Sequence, residues 1–221
     1  MFLHTNVPKF EELQTKTIKG LRWYVTPERN VYPSITSVLS TEEKPHLLAW
    51  KQALGTEKAS KETLRCSTRG TAVHLMAERY LNNEQFPCRD QPPEYVKLFN
   101  QLKFTLNRIN HVRIQEVPLY SDEFRVAGRT DCIAEYDNVL SVIDFKTSNN
   151  NKSENMIEEY FLQETFYALA YYEMFGEEIN QIVTLIAVEK GAVPLVIKKS
   201  ITPYIVPLQQ RITKFYKTHV R

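Results

Sequence analysis

Two periodicities divide this chain into unlike halves. Leu21-Arg22-Trp23-Tyr24-Val25 reads as a strand, and Asn30 to Thr36 as a second extended stretch broken by proline. The apolar spacing then becomes helical. Thr41-Glu42-Glu43-Lys44 has the form of an N-cap with an acidic first turn, followed by Leu47, Leu48, Trp50 and Leu54 and a stop at Gly55. A second helical region is expected from about Ser60 to Asn82, interrupted near Ser67-Thr68, with Val73, Met76, Ala77, Tyr80 and Leu81 at helical spacing. Pro92-Pro93 opens a third helix, carrying Tyr95, Leu98, Phe99 and Leu102.

Strand patterns take over at Arg113 to Tyr120, Phe124 to Tyr136 and Val139 to Thr147, a predicted meander. A polar loop follows, Ser148 to Ser153, then a long helix from about Glu154 to Phe175 that ends at Gly176. Gln181 to Glu189 reads as a fourth strand, Pro194 to Lys199 as its hairpin partner across Gly191, and Pro203 to about His219 as an amphipathic helix. This order predicts an α+β core, with the first sixty or so residues as an attachment.

Composition narrows the functional classes. With 221 residues and 43% hydrophobic content, the chain can bury one core and is expected to be a soluble globular protein. A formal charge of +2 offers no bulk electrostatic case for nucleic acid, so any DNA groove must come from local clustering. The start of the chain has neither a basic n-region nor an apolar h-region, and no apolar run is long enough to span a bilayer; a cytoplasmic protein is expected. Cys66, Cys88 and Cys132 are widely spaced and form no C-x-x-C pair, which argues against a zinc site and a disulfide framework.

The chemistry is carried by Asp131 and Asp144. If Asp137-Asn138 is a two-residue hairpin turn, Tyr136 faces Val139 and Asp131 lands opposite Asp144 on one face. Two carboxylates roughly 5 Å apart destabilise a hairpin unless a cation lies between them. Lys146 falls on the same face as Asp144. Acid, acid and lysine on adjacent strands suggest metal-assisted hydrolysis of phosphate esters.

Four motifs in order carry a resemblance. Arg69-Gly70-Thr71-Ala72-Val73-His74 looks like a G-x-x-x-H helix, Gly128-Arg129-Thr130-Asp131 like a G-x-x-D strand, Asp144-Phe145-Lys146 like a D-x-K strand, and Gln163 to Tyr167 like a Q-x-x-x-Y helix. Together, over about residues 67 to 190, they resemble the PD-(D/E)xK nuclease superfamily, RecB-type exonuclease branch. Pro33 to Leu39 further resembles phage exonucleases similar to the mitochondrial genome maintenance exonuclease. The resemblance implies a restriction-endonuclease-like core over residues 67–221, a central mixed sheet flanked by helices, with residues 1–66 as a helical arch over the cleft.

It also implies roles. His74, Asp131, Asp144 and the Phe145 carbonyl would bind Mg²⁺ or Mn²⁺, Glu116 would act near the metal, and Lys146 would position and polarise the attacking water. Arg69, Arg129, Ser148, Gln163 and Tyr167 would contact DNA. Some relatives carry a four-cysteine iron-sulfur cluster; three cysteines cannot build one. Trp50, Tyr80, Phe99, Tyr171 and Tyr172 fit a core better than base platforms, while Lys51, Lys58, Lys61 and Arg65 suit either a DNA channel or solvated helix faces. The expected function is that of a monomeric, metal-dependent DNA exonuclease acting on single strands or ends and leaving 5′-phosphates. A flap- or junction-cutting endonuclease and a non-catalytic DNA-binding module are the alternatives.

Overall fold

The computed structural model of the chain describes residues 1–5, 11–42 and 45–220, with backbone alone for 45–47. β1 (Gln14–Ile18) and β2 (Leu21–Val25) are joined by Lys19-Gly20, both at positive φ (49° and 78°), a turn whose twist matches a two-residue hairpin. β3 (Val31–Pro33) completes a three-stranded antiparallel sheet. The extended stretch expected over Asn30 to Thr36 ends there. Ser34 caps α1 (Ile35–Ser40), its hydroxyl accepting from the Ser37 N–H at 3.0 Å, and this cap overrides the β-branched residues that follow.

Thr41, expected as an N-cap, instead closes α1 and donates to the Val38 carbonyl at 2.8 Å. Glu43 and Lys44 of that expected cap lie outside the described residues. α2 (Pro45–Leu54) starts on proline, and Gly55 at φ 82° leads into α3 (Thr56–Leu81). α3 runs unbroken through Ser67-Thr68, where the expected interruption is absent. Both side chains are exposed, and there a short hydroxyl residue costs a helix only about 0.5 kcal/mol. α4 (Pro93–Leu106) follows, with proline in its first turn as expected.

The central sheet has five strands in chain order: β4 (Ile109–Ser121), β5 (Val126–Tyr136), β6 (Val139–Ser148), β7 (Gln181–Val188) and β8 (Leu195–Ser200). It is mixed. β6 and β7 are parallel and connected through α5 (Glu158–Phe175); the other neighbours are antiparallel. Short 3-10 turns, Glu154–Met156 and Thr202–Tyr204, precede α5 and α6 (Ile205–His219).

Side-chain alternation sorts the sheet between two cores. Ile133, Val142, Ile182 and Ile186 join residues of α1, α5 and α6, whereas Cys132, Ala134, Ile143, Phe145, Val183 and Leu185 join α3 and α4. Helices therefore cover both faces, which is why Ile182 to Val188 is apolar apart from Thr184. The result is the expected α+β architecture. Among the described residues no helix is long and apolar enough to cross a membrane.

Candidate metal centre

The turn between β5 and β6 forms as read from the sequence. Asp137 and Asn138 take φ of 52° and 63°, and the ladder runs from Tyr136↔Val139 to Cys132↔Ile143. The next pair in that register would be Asp131 with Asp144. It does not form as a ladder pair. β5 goes on pairing with β4, and β6 with β7, so the two strands part where the acids stand. The Asp131 carboxylate substitutes for the lost backbone acceptor, taking the Phe145 N–H on Oδ2 at 2.8 Å. The same register, continued by two pairs, would set Arg129 opposite Lys146, and that pair is not in the ladder either.

The other neighbour of Asp131 supplies a third acid. Gln115↔Cys132 and Val117↔Thr130 bracket Glu116 opposite Asp131. Glu116 has φ 50°, a left-handed conformation that costs a non-glycine residue about 1–3 kcal/mol. Arg129 holds it there by donating to the Glu116 carbonyl while pairing with Glu12. From the layer on the other face, α3 brings His74, whose Nδ1 lies 3.5 Å from Asp131 Oδ2 and 3.6 Å from Glu116 Oε1. The Phe145 ring meets the imidazole edge-on, centroids 6.1 Å apart.

One ligand atom from each of His74, Glu116 and Asp131 lies within 4.8 Å of the others. An imidazole nitrogen and two carboxylates suit Mn²⁺ or Mg²⁺, and a strained residue that aims one of the carboxylates inward fits such a site. Burial alone would lower the His74 pKa, but the Asp131 charge and the Glu116 contact outweigh it and raise it to about 9. In the absence of a metal, an imidazolium proton balances the acids; a divalent cation would replace it.

Asp144 stands beside this trio, 1% exposed, paired through Oδ2 with the Lys146 ammonium; its Oδ1 has no hydrogen-bond partner among the described residues. Burial pushes its carboxyl up to about 6, against the pull of Lys146. For Lys146, burial is outweighed by Asp144 and Asp131, which hold the ammonium charged.

Sequence reasoning missed Glu164, a fully buried acid on α5. It accepts from the Thr184 hydroxyl at 2.6 Å, and Thr184 is the β7 register partner of Asp144. Burial, with the Asp144 charge adding to it, pushes the Glu164 carboxyl well above the carboxylate range. Glu78, one helical turn after His74, is likewise raised by burial and by Glu116. That H-x-x-x-E spacing was the available signal.

The residues expected to touch DNA separate into two groups. Gln163 remains half-buried and donates to the Tyr167 hydroxyl at 3.0 Å, and Arg129 is partly exposed. Arg69 needs correction. Its side chain is 2% exposed, Nη1 donates to Glu189 at 2.9 Å and Asn149 at 2.6 Å, and Nε donates to Thr147 at 3.2 Å, so the guanidinium is turned into the fold rather than toward a phosphate. Tyr167, 1% exposed, is wedged against Gly128 and cannot stack on a base. The Ser148 hydroxyl is buried and donates to the Asn150 carbonyl at 2.7 Å.

Arg65 joins the Arg69 network by gripping Glu189 with two nitrogens (2.7 and 2.9 Å) and Glu62 with Nε at 2.9 Å. Lys61 pairs with Glu57 at 2.7 Å on an exposed helix face. Tyr80 stacks edge-on against the buried Phe99, and Tyr171 is buried while Tyr172 is 49% exposed.

The sequence profile described as "PD-(D/E)XK nuclease superfamily" matches residues 95–201. Mitochondrial genome maintenance exonuclease 1 of Homo sapiens is 31% identical over 148 residues, covering 63% of this chain and 41% of that protein. The Xenopus tropicalis protein of that name is 28% identical over 128 residues, covering 54% of this chain and 37% of its own length. The match thus spans about two fifths of these relatives. The crystal structure of SSO0001 aligns at TM-score 0.41 and 15% identity, over 84% of this chain and 76% of that one. From α4 to the end of β8, residues 95–201 of this chain are thus similar to the PD-(D/E)XK nuclease superfamily.

Proposed function

We propose that the chain is a metal-dependent exodeoxyribonuclease that hydrolyses single-stranded DNA, or DNA from its ends, to 5′-phosphate products. The observation that carries this reading is the convergence of His74, Glu116 and Asp131 beside the Asp144–Lys146 pair. The similarity to proteins named exonucleases supports it.

His74, Glu116 and Asp131 would hold the cation, with Asp144 Oδ1, buried and without a hydrogen-bond partner among the described residues, next to them. A bound Mg²⁺ or Mn²⁺ supplies a Lewis acid and lowers the pKa of water. The chain's own groups do the rest. Asp131 ties the imidazole side of the site to the Phe145 backbone, and the Phe145 ring fixes the imidazole plane. Lys146, held charged, is placed to orient water and to offset charge on the phosphate. Residues 1–66 are assigned as a cover over the cleft: Leu48, Leu54 and Leu64, exposed on the helical stretch ahead of His74, fit a surface that meets the bases of a threaded strand.

The test is digestion of end-labelled linear and circular single-stranded DNA with Mg²⁺ or Mn²⁺. Linear DNA should shorten to products that carry 5′-phosphates while circles persist. Nicked circles would replace the exonuclease reading with an endonuclease.

A further inference from the structure

Tyr160, in the first turn of α5, touches two lysines. Lys146 Nζ lies 5.2 Å from its ring centroid. Lys152, on the loop between β6 and α5, has Nζ 5.6 Å from the same centroid and donates to the Tyr160 hydroxyl at 3.3 Å. Aromatic faces attract ammonium groups, yet two cations on one ring also repel each other. Two acids already have lysine partners among the described residues: Asp144 pairs with Lys146, and Glu154 with Lys199 at 2.7 Å. Lys152 is half-buried and makes no ion pair among the described residues.

A lysine held in place by an aromatic hydroxyl, partly shielded from water and without an acid, is built for an incoming anion. We infer that Lys152 contacts a substrate phosphate neighbouring the one at the metal centre, and that Tyr160 is the positioning residue that presents Lys152 and steadies Lys146. The identity of the anion rests on the nuclease reading above. Tyr160 reaches the chemistry only through these two ammonium groups.

The experiment is binding of a single-stranded oligonucleotide in chelator across a salt series, with kcat and KM measured separately in Mn²⁺. Lys152→Gln should reduce the slope of log affinity against log salt by about 0.7 and weaken binding about fivefold at 0.1 M salt, the release expected for one phosphate contact. Its kcat at saturating DNA should be unchanged. Tyr160→Phe, which keeps the ring and loses the hydroxyl, should raise KM alone; Tyr160→Leu should lower kcat as well. An unchanged salt slope in Lys152→Gln overturns the inference, and so does a loss confined to kcat. Binding that depends on Lys152 in a protein that never cuts DNA would overturn the nuclease reading instead and leave the phosphate contact standing.

Discussion

Two motif glycines make opposite demands on the fold, and alanine substitution separates them. A Cβ built on Gly128 would lie 2.8 Å from Ile35 Cγ2, 2.9 Å from Tyr167 Cε1 and 3.1 Å from Tyr167 Oη. Ile35 is fully buried and Tyr167 is 1% exposed, so neither can swing away, and α1 or α5 must shift off the sheet. Overpacking of this kind costs about 1–3 kcal/mol. At Gly70 the nearest atom, Thr147 Oγ1, lies at an ordinary 3.9 Å, and the residue is interior to α3. There alanine should gain about 0.5–1 kcal/mol. For a chain of this size each kcal/mol moves the unfolding midpoint by about 2–4 °C, so Gly128→Ala should melt about 2–12 °C lower and Gly70→Ala about 1–4 °C higher than the parent. Thermal and urea unfolding followed by circular dichroism would show both. A Gly128→Ala protein as stable as the parent, or a Gly70→Ala protein less stable than it, would refute the packing argument.

Further outcomes follow from the same contacts. Arg69→Met should destabilise the protein by about 1–3 kcal/mol, through the partners it strands, while leaving the salt slope of DNA binding unchanged; a flattened slope would restore Arg69 as a phosphate contact. Glu116→Gly removes the strain at φ 50° along with a carboxylate, so stability should hold or rise by about 1 kcal/mol while Mn²⁺ affinity measured by calorimetry falls at least about tenfold. Hydrogen bonds from Arg65 and then Asn149 hold the Glu62 carboxyl at about 2 in the fold, against 4.5 for the free side chain. Its stabilising contribution is therefore complete above pH 4.5 and is lost as pH falls toward 2. Glu62→Gln should flatten stability against pH across that window in acid titrations, and an unaltered profile would count against the network.

The legible parts were those set by local rules. Asp137-Asn138 dictated a hairpin, the hairpin dictated a register, and the register placed Asp131 and Asp144 at one point of the sheet. What the register could not reveal was the parting of the strands at that point, where β5 keeps to β4 and β6 to β7. β1 was missed because every residue in it is exposed, so no apolar alternation marks it. Ser34 was read as part of a strand although its serine chemistry caps a helix.

Arg69 misled for a different reason. An arginine next to a motif looks free until Asn149 and Glu189, 80 and 120 residues away, close around it. Glu164 stayed hidden within a helix buried over most of its surface, where no apolar stripe distinguishes the inward face. Glu116 could be placed near the metal only by resemblance, and its positive φ leaves no trace in the residue sequence.

The most direct test of the metal centre compares the parent protein with Asp131→Asn and Lys146→Ala on linear single-stranded DNA, in Mn²⁺ and in chelator, after circular dichroism has verified that each is folded. The parent should digest DNA only with the cation, and both folded variants should fail to digest it. Digestion in chelator, or undiminished digestion by either variant, would contradict the account.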